Sequence, residues 1–182
     1  MPASARTVSA GCTSEMADMN RIWPAHDLRL EALSVPPEFY LDPALTFDDP
    51  LVASLLTLWE SRRVDERLPA RSDFTVTDLQ PYFGWLCLLR VNPDRQDLVY
   101  SLIGTRIVDL VGRDNTGKAV GESMPPWALA TYLCLMDDPR PVRCWGTVNW
   151  RNRDFLKQES LLLPLTSDGR TVDQFLTIMT VS

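Results

Sequence analysis

Apolar residues recur first at helical spacing and then at strand spacing. Leu51, Leu55, Leu58 and Trp59 fall at i, i+4, i+7 and i+8, which lines one face of an amphipathic helix over residues 49–63. Asp48 or Asp49 can cap its start, and Pro50 suits a first turn whose backbone donors have no partner. Leu68-Pro69 ends it. After Arg71-Ser72-Asp73, one of Asp73, Thr75 and Thr77 can cap a second short helix around Thr77 to Phe83. From Trp85 to Val91 only Arg90 interrupts the apolar run, as expected for a strand covered on both faces. Asn92-Pro93-Asp94 is turn chemistry, and Leu98, Tyr100 and Leu102 then alternate with Val99, Ser101 and Ile103, so the two segments read as an antiparallel hairpin.

The period breaks between residues 104 and 143. Arg106 to Val111 is helical, a glycine-rich turn follows, and a helix runs from Pro125 or Pro126 to Met136, stopped by Asp137-Asp138-Pro139. Three further strands are predicted at Cys144 to Arg151, Phe155 to Leu165 and Thr171 to Val181, the last two joined through Ser167-Asp168-Gly169. The order predicts an α+β domain: a five-stranded antiparallel sheet, a helical crossover on one face and the helix 49–63 flanking it. The second face of such a sheet needs cover, from its own helix or from a partner's. Leu51, Leu55, Leu58 and Trp59 are therefore the candidate homodimer interface. Residues 1–46 hold prolines and scattered acids with little periodicity and read as a mobile or peripheral arm, leaving 47–182 as the domain.

Composition narrows the function by exclusion. A chain of 182 residues with 45% hydrophobic and 23% charged positions matches a single globular domain. Its charge of −6 comes from 18 basic against 24 acidic residues, and only two of the basic ones are Lys. A nucleic-acid partner or a polybasic membrane patch is not expected from that balance. No apolar run approaches the roughly 20 residues of a membrane span. Val8-Ser9-Ala10-Gly11-Cys12 resembles a lipoprotein cleavage site but lacks an apolar segment before it, so the expected location is the cytoplasm. Cys12, Cys87, Cys134 and Cys144 form no CxxC pair and read as reduced, mostly buried thiols.

Several short motifs occur in a telling order. They are Trp59-Glu60, Leu68-Pro69-Ala70-Arg71-Ser72-Asp73-Phe74, Leu102-Ile103-Gly104-Thr105-Arg106-Ile107-Val108, Gly112-Arg113-Asp114-Asn115-Thr116-Gly117, and Leu163-Pro164-Leu165 before Asp168-Gly169. Over residues 48–181 the chain resembles the PAS-type domain found as small, mostly stand-alone proteins in alphaproteobacteria. Val76 departs from it, standing where similar sequences tend to carry proline. The resemblance implies a sensory or protein-interaction module, with a small-molecule pocket between sheet and crossover helices. With no room for an output domain after residue 182, the signal is expected to leave through association with another protein or a second copy.

The candidate site residues divide by chemistry. Arg71 and Asp73, singled out by the family match, can hold an anion through the guanidinium fork, or simply cap backbone groups and an ion pair. Arg106, on a helix following Gly104, is a similar candidate that either lines the cavity or is simply solvated, and Asp114 is a candidate that either pairs with Arg71 or bonds its own backbone in the connector. Tyr100, Trp127, Tyr132 and Trp145 are the aromatics placed near the cavity, either to line it or to pack as core. Gly112 to Lys118 has phosphate-loop spacing, but Ala119 replaces the magnesium-holding hydroxyl and no helix follows, so it reads as a connector. His26 is the single histidine and lies in the arm, which disfavours imidazole-based catalysis and haem ligation. No cysteine occupies the Asn-Cys-Arg setting of flavin-photosensing PAS relatives, and no metal spacing is present. An enzyme is not expected, and the cofactor is left unassigned.

Overall fold

The computed structural model describes residues 30, 33–148 and 156–182. His26, Cys12, most of the expected arm, and the ends of two predicted strands at 149–151 and 155 lie outside the described residues. In chain order the elements are β1 (Phe39–Asp42), α1 (Pro50–Ser61), α2 (Val76–Leu79), β2 (Leu86–Val91), β3 (Leu98–Ile103), α3 (Thr105–Val111), α4 (Pro126–Asp137), β4 (Val142–Thr147), β5 (Lys157–Thr166) and β6 (Val172–Val181). Short 3-10 turns occur at Arg71–Asp73, Gln80–Tyr82 and Val120–Glu122.

The strands form one sheet in the order β1-β4-β5-β6-β2-β3, and every neighbouring pair is antiparallel. It has six strands, where the sequence pattern predicts five. The addition is β1, drawn from the segment read as a peripheral arm, which pairs Phe39 with Gly146 and Asp42 with Arg143 along β4. Four residues between prolines are too short for alternation to reveal. Gly146 allows the close approach, since a Cβ there would stand 2.3 Å from the Glu38 carbonyl oxygen.

Alternation assigns each strand residue to one of two cores. On one face Leu86, Leu161, Leu163, Leu165, Leu176 and Ile178 pack with Val52, Leu55 and Trp59 of α1. On the other, Cys87, Leu89, Leu162 and Phe175 pack with Ile107, Tyr132, Leu133 and Leu135 of the crossover. Burial on both faces explains the unbroken apolar run of β5.

Cover for the sheet comes from the chain's own helix. Asp49 caps α1 by accepting from the Leu51 N–H, and Pro50 opens its first turn. Leu55 and Trp59 are buried against the chain's own sheet, while Leu51 and Leu58 are partly buried beside them. These four residues therefore form an intramolecular core, and a second copy could reach Leu55 or Trp59 only by displacing it. The Trp59 indole donates to the carbonyl of Pro164 at 3.1 Å. Pro164 lies beyond Val142↔Leu162, the last β4–β5 pair toward the β5 C-terminus, so the indole supplies a partner where β4 supplies none.

One ionic cluster fastens the N-terminal elements to the sheet. Arg143 of β4 is buried; its Nε donates to Glu159 of β5, one terminal nitrogen to Asp48 at 2.9 Å, and the other reaches Asp42 at 3.5 Å. Glu159 also accepts the backbone N–H groups of Asp48 and Asp49 at 3.1 and 2.8 Å. The carboxylate thus holds both the guanidinium and the chain entering α1. Its loss would leave a buried cation short of a partner and two amides unbonded, whereas Asp48 is 89% exposed and screened by water. Glu159→Ala should cost about 3 kcal/mol in urea unfolding, and Asp48→Ala less than about 1 kcal/mol.

The β5–β6 turn depends on Asp168, whose carboxylate accepts from the Thr171 and Arg170 N–H groups and the Thr166 hydroxyl at 2.7 to 2.8 Å. These bonds, the Thr171 amide foremost, hold its pKa well below the usual carboxylate range. A carboxyl depressed in the folded state stabilises the fold fully above its unfolded pKa of about 3.9, and the contribution fades as pH falls further. Asp168→Asn should therefore flatten the acid limb of the stability curve below about pH 4 and leave its slope at neutral pH unchanged.

Candidate ligand cavity

Between the crossover and the sheet face opposite α1 lies a cavity of about 880 Å³. That is the upper part of the size range of drug-sized ligand sites, roughly 300 to 1,000 Å³. The sheet contributes Cys87, Tyr100, Cys144, Ser160, Leu162, Thr177 and Met179, all on the parity opposite to the α1 core. Ile107, Val111, Trp127, Thr131 and Tyr132 of the crossover helices line the facing side, and Phe39 of β1 also lines the cavity, its ring 5.0 Å from that of Trp127.

The interior is apolar with neutral polar points. Tyr132 and Thr177 share one hydroxyl–hydroxyl bond at 3.1 Å, and Tyr132 stands edge-on to Phe175 at 5.1 Å. Two hydroxyl protons serve that single bond, so one remains available to the cavity. The Ser123 hydroxyl donates to Tyr100 Oη at 3.2 Å. Burial pushes the Cys87 and Cys144 thiols up to about 12 and raises both tyrosine phenols above their ordinary value. Apart from Glu38, Arg113 and Glu122, the residues lining the cavity are uncharged at neutral pH. Arg113 and Glu122, opposite in sign, are exposed at the rim, and Glu38 beside Phe39 is partly buried.

Three of the eight predicted ligand residues, Tyr100, Trp127 and Tyr132, line this space. The other five do not. Asp73 accepts the Ala70 N–H at 2.8 Å and Arg71 donates to the Phe74 carbonyl at 2.8 Å, so both close a turn on the α1 side of the sheet. Arg106 lays its guanidinium over Trp85, 5.3 Å from the ring centre. Asp114 accepts the Thr116 N–H in an exposed turn. Trp145 is one residue out of phase: Cys144 and Gly146 face the crossover, whereas Trp145 stacks on Tyr40 at 4.5 Å with Arg143 beside it. Ser160, Leu162, Thr177 and Met179 were identifiable from strand parity; Phe39 and Asn115 had no comparable signal.

The described residues contain no cluster of three or more His, Cys, Asp or Glu able to hold a metal, and no helix among them is long and apolar enough to cross a membrane. The model of the PAS domain family matches residues 48–180, and the chain belongs to that family, whose members are generally sensory, non-enzymatic modules. Its sheet and crossover are those of a PAS fold. Among solved structures, the PAS domain of an HTR-like protein from Haloarcula marismortui aligns at 17% identity over 58% of this chain and 90% of that one, with a TM-score of 0.40. An RNA-binding Light-Oxygen-Voltage receptor aligns at 13% identity over 82% of this chain and 39% of that one, with a TM-score of 0.44. No curated protein sequence matches.

Cys87 and Cys144 keep their protons at pH 8, and both side chains are buried. Both should resist alkylation by iodoacetamide in the folded protein and react at least a hundredfold faster in 6 M guanidinium, on the order of the difference between protected and open sites. Peptide mass mapping would show it; rapid native labelling at either position would contradict the burial of these thiols.

Proposed function

We propose that this chain is a PAS sensory module that takes a small molecule into the cavity between sheet and crossover and answers by changing its association with another protein or a second copy. The observation that carries this reading is the cavity itself: at about 880 Å³ it has room for a drug-sized molecule, and Phe39, Tyr100, Trp127 and Tyr132 line it instead of filling it. A ligand-free adaptor would be expected to fill that space with side chains, since voids in a core forfeit contacts on every wall.

The occupant would act through Thr177 and Met179, which touch the cavity, and through Ile178, which packs under α1 from the opposite face of the same strand. It shifts association only to the extent that it binds one state better than the other; about 1.4 kcal/mol of difference is a tenfold shift.

Native mass spectrometry of the full chain purified from its source should show a noncovalent added mass. Ser160→Trp, which puts an indole into the cavity from the β5 wall, should remove that mass while leaving the circular dichroism spectrum unchanged. An identical adduct on both proteins would place the ligand elsewhere, and the reading would fail.

A further inference from the structure

On the cavity face of β5, Gln158 and Ser160 share one hydrogen bond, donated by Gln158 Nε2 to Ser160 Oγ at 3.2 Å. It exhausts neither group. A carboxamide has an acceptor oxygen beside its donor nitrogen, and a hydroxyl that accepts can still donate its own proton. Gln158 Oε1 has no partner among the described residues, and it is not sealed in the wall: the residue is half-buried and the oxygen remains accessible. The Ser160 hydroxyl proton has no protein acceptor among those residues either. The pair therefore offers the cavity one acceptor and one donor side by side.

Strand register sets what stands around this pair. Gln158 is opposite Gly146 on β4, and Gly146 is opposite Phe39 on β1. Gly146 brings no side chain into that row, and the Phe39 ring lies over it, since a Cβ there would stand 2.6 Å from Phe39 Cδ1. Aromatic surface and the open carboxamide thus share one part of the cavity, with Trp127 5.0 Å from Phe39. Charge enters here as well, because Glu38 precedes Phe39 and lines the same space. A carboxylate head group could accept from Ser160, but it has no proton for Gln158 Oε1, and Glu38 repels it. An ammonium group could donate to Oε1 with Glu38 in its favour, yet it has no acceptor for the Ser160 proton.

We infer that the occupant carries a carboxamide or lactam group on a ring-bearing body: its N–H donates to Gln158 Oε1, its carbonyl accepts from Ser160 Oγ, and its ring lies against Phe39 and Trp127. The inference rests on the sensory reading above and goes further, because it names the head group and makes Gln158 the residue that selects it. Discrimination follows from the seating of the ring. Once a ligand covers Gln158, water no longer reaches Oε1, so an analogue that lacks the N–H leaves that acceptor unpaired.

Titration calorimetry of the full chain at neutral pH with four naphthalene probes tests it: 2-naphthamide, 2-acetylnaphthalene, 2-naphthoate and 2-(aminomethyl)naphthalene. The amide should bind at least about tenfold tighter than the ketone, which keeps the carbonyl and lacks the N–H, and tighter than either ion. Gln158→Met, which keeps the side-chain length and removes the acceptor, should bring the amide down to the affinity of the ketone and leave the ketone unchanged. Ser160→Trp should abolish binding of all four. Equal binding of amide and ketone, an amide affinity indifferent to Gln158→Met, amide binding that survives Ser160→Trp, or tightest binding of the naphthoate or the amine would each overturn the inference; if Ser160→Trp still blocks the probes that bind, the cavity remains a ligand site. Binding of none of the probes also overturns it, and the copurifying mass then decides the sensory reading separately. Should Gln158→Met fail to fold, the amide-to-ketone ratio on the unaltered chain is decisive alone.

Discussion

Two chambers share one sheet, and that constraint governs the molecule. Along β5 and β6 each residue belongs to the α1 side or the crossover side by parity, and both sides are buried. A slip of one residue would send Leu161, Leu163 and Ile178 into the cavity and Ser160 and Thr177 under the helix, reversing apolar and polar assignments together. The antiparallel register is therefore specified twice, once by each core. The cavity is the residue of that arrangement: small or polar side chains at Ser160 and Thr177 leave open on one face what leucines close on the other.

Holding the cap in place falls to polar chemistry at its two ends. At the N-terminal end of α1, Glu159 binds both Arg143 and the amides of Asp48 and Asp49; near the other end, Trp59 bonds the Pro164 carbonyl. Apolar burial of Val52 and Leu55 supplies adhesion between them, while the directional bonds determine where along β5 the helix rests. Arg143 belongs to this fastening and not to the cavity, because it sits on the same strand parity as Trp145.

Much of this fold was legible in the chain. The period-3.6 stripe of α1, the Asp49-Pro50 start, the β2–β3 hairpin and the glycine turn before β6 follow from local rules that the structure obeys. β1 was not legible, because its four residues gain their meaning only from Gly146, a hundred positions away. Site prediction did less well, for a physical reason. Charged residues such as Arg71, Asp73, Arg106 and Asp114 attract attention in a sequence, yet the first two close a local turn, Arg106 stacks on Trp85 and Asp114 bonds the next turn of backbone. The polar groups lining the cavity are mostly neutral hydroxyls, thiols and the carboxamide residues Asn115 and Gln158, which look like ordinary strand and loop residues until topology brings them round one space. Trp145 shows how narrow the margin is, since a shift of a single position along β4 separates the cavity wall from the outer surface.

The placement of α1 and the cavity on opposite sides of β6 has a mechanical consequence. Thr177 and Ile178 are joined by one rigid peptide plane, yet one side chain meets the cavity and the other meets the underside of the helix. Because neither can rotate to the other side without breaking the ladder, pressure on the first is delivered to the second as tilt or translation of the whole ribbon. The sheet acts as a diaphragm, and the distance a push must travel from one compartment to the next is the thickness of a single polypeptide backbone.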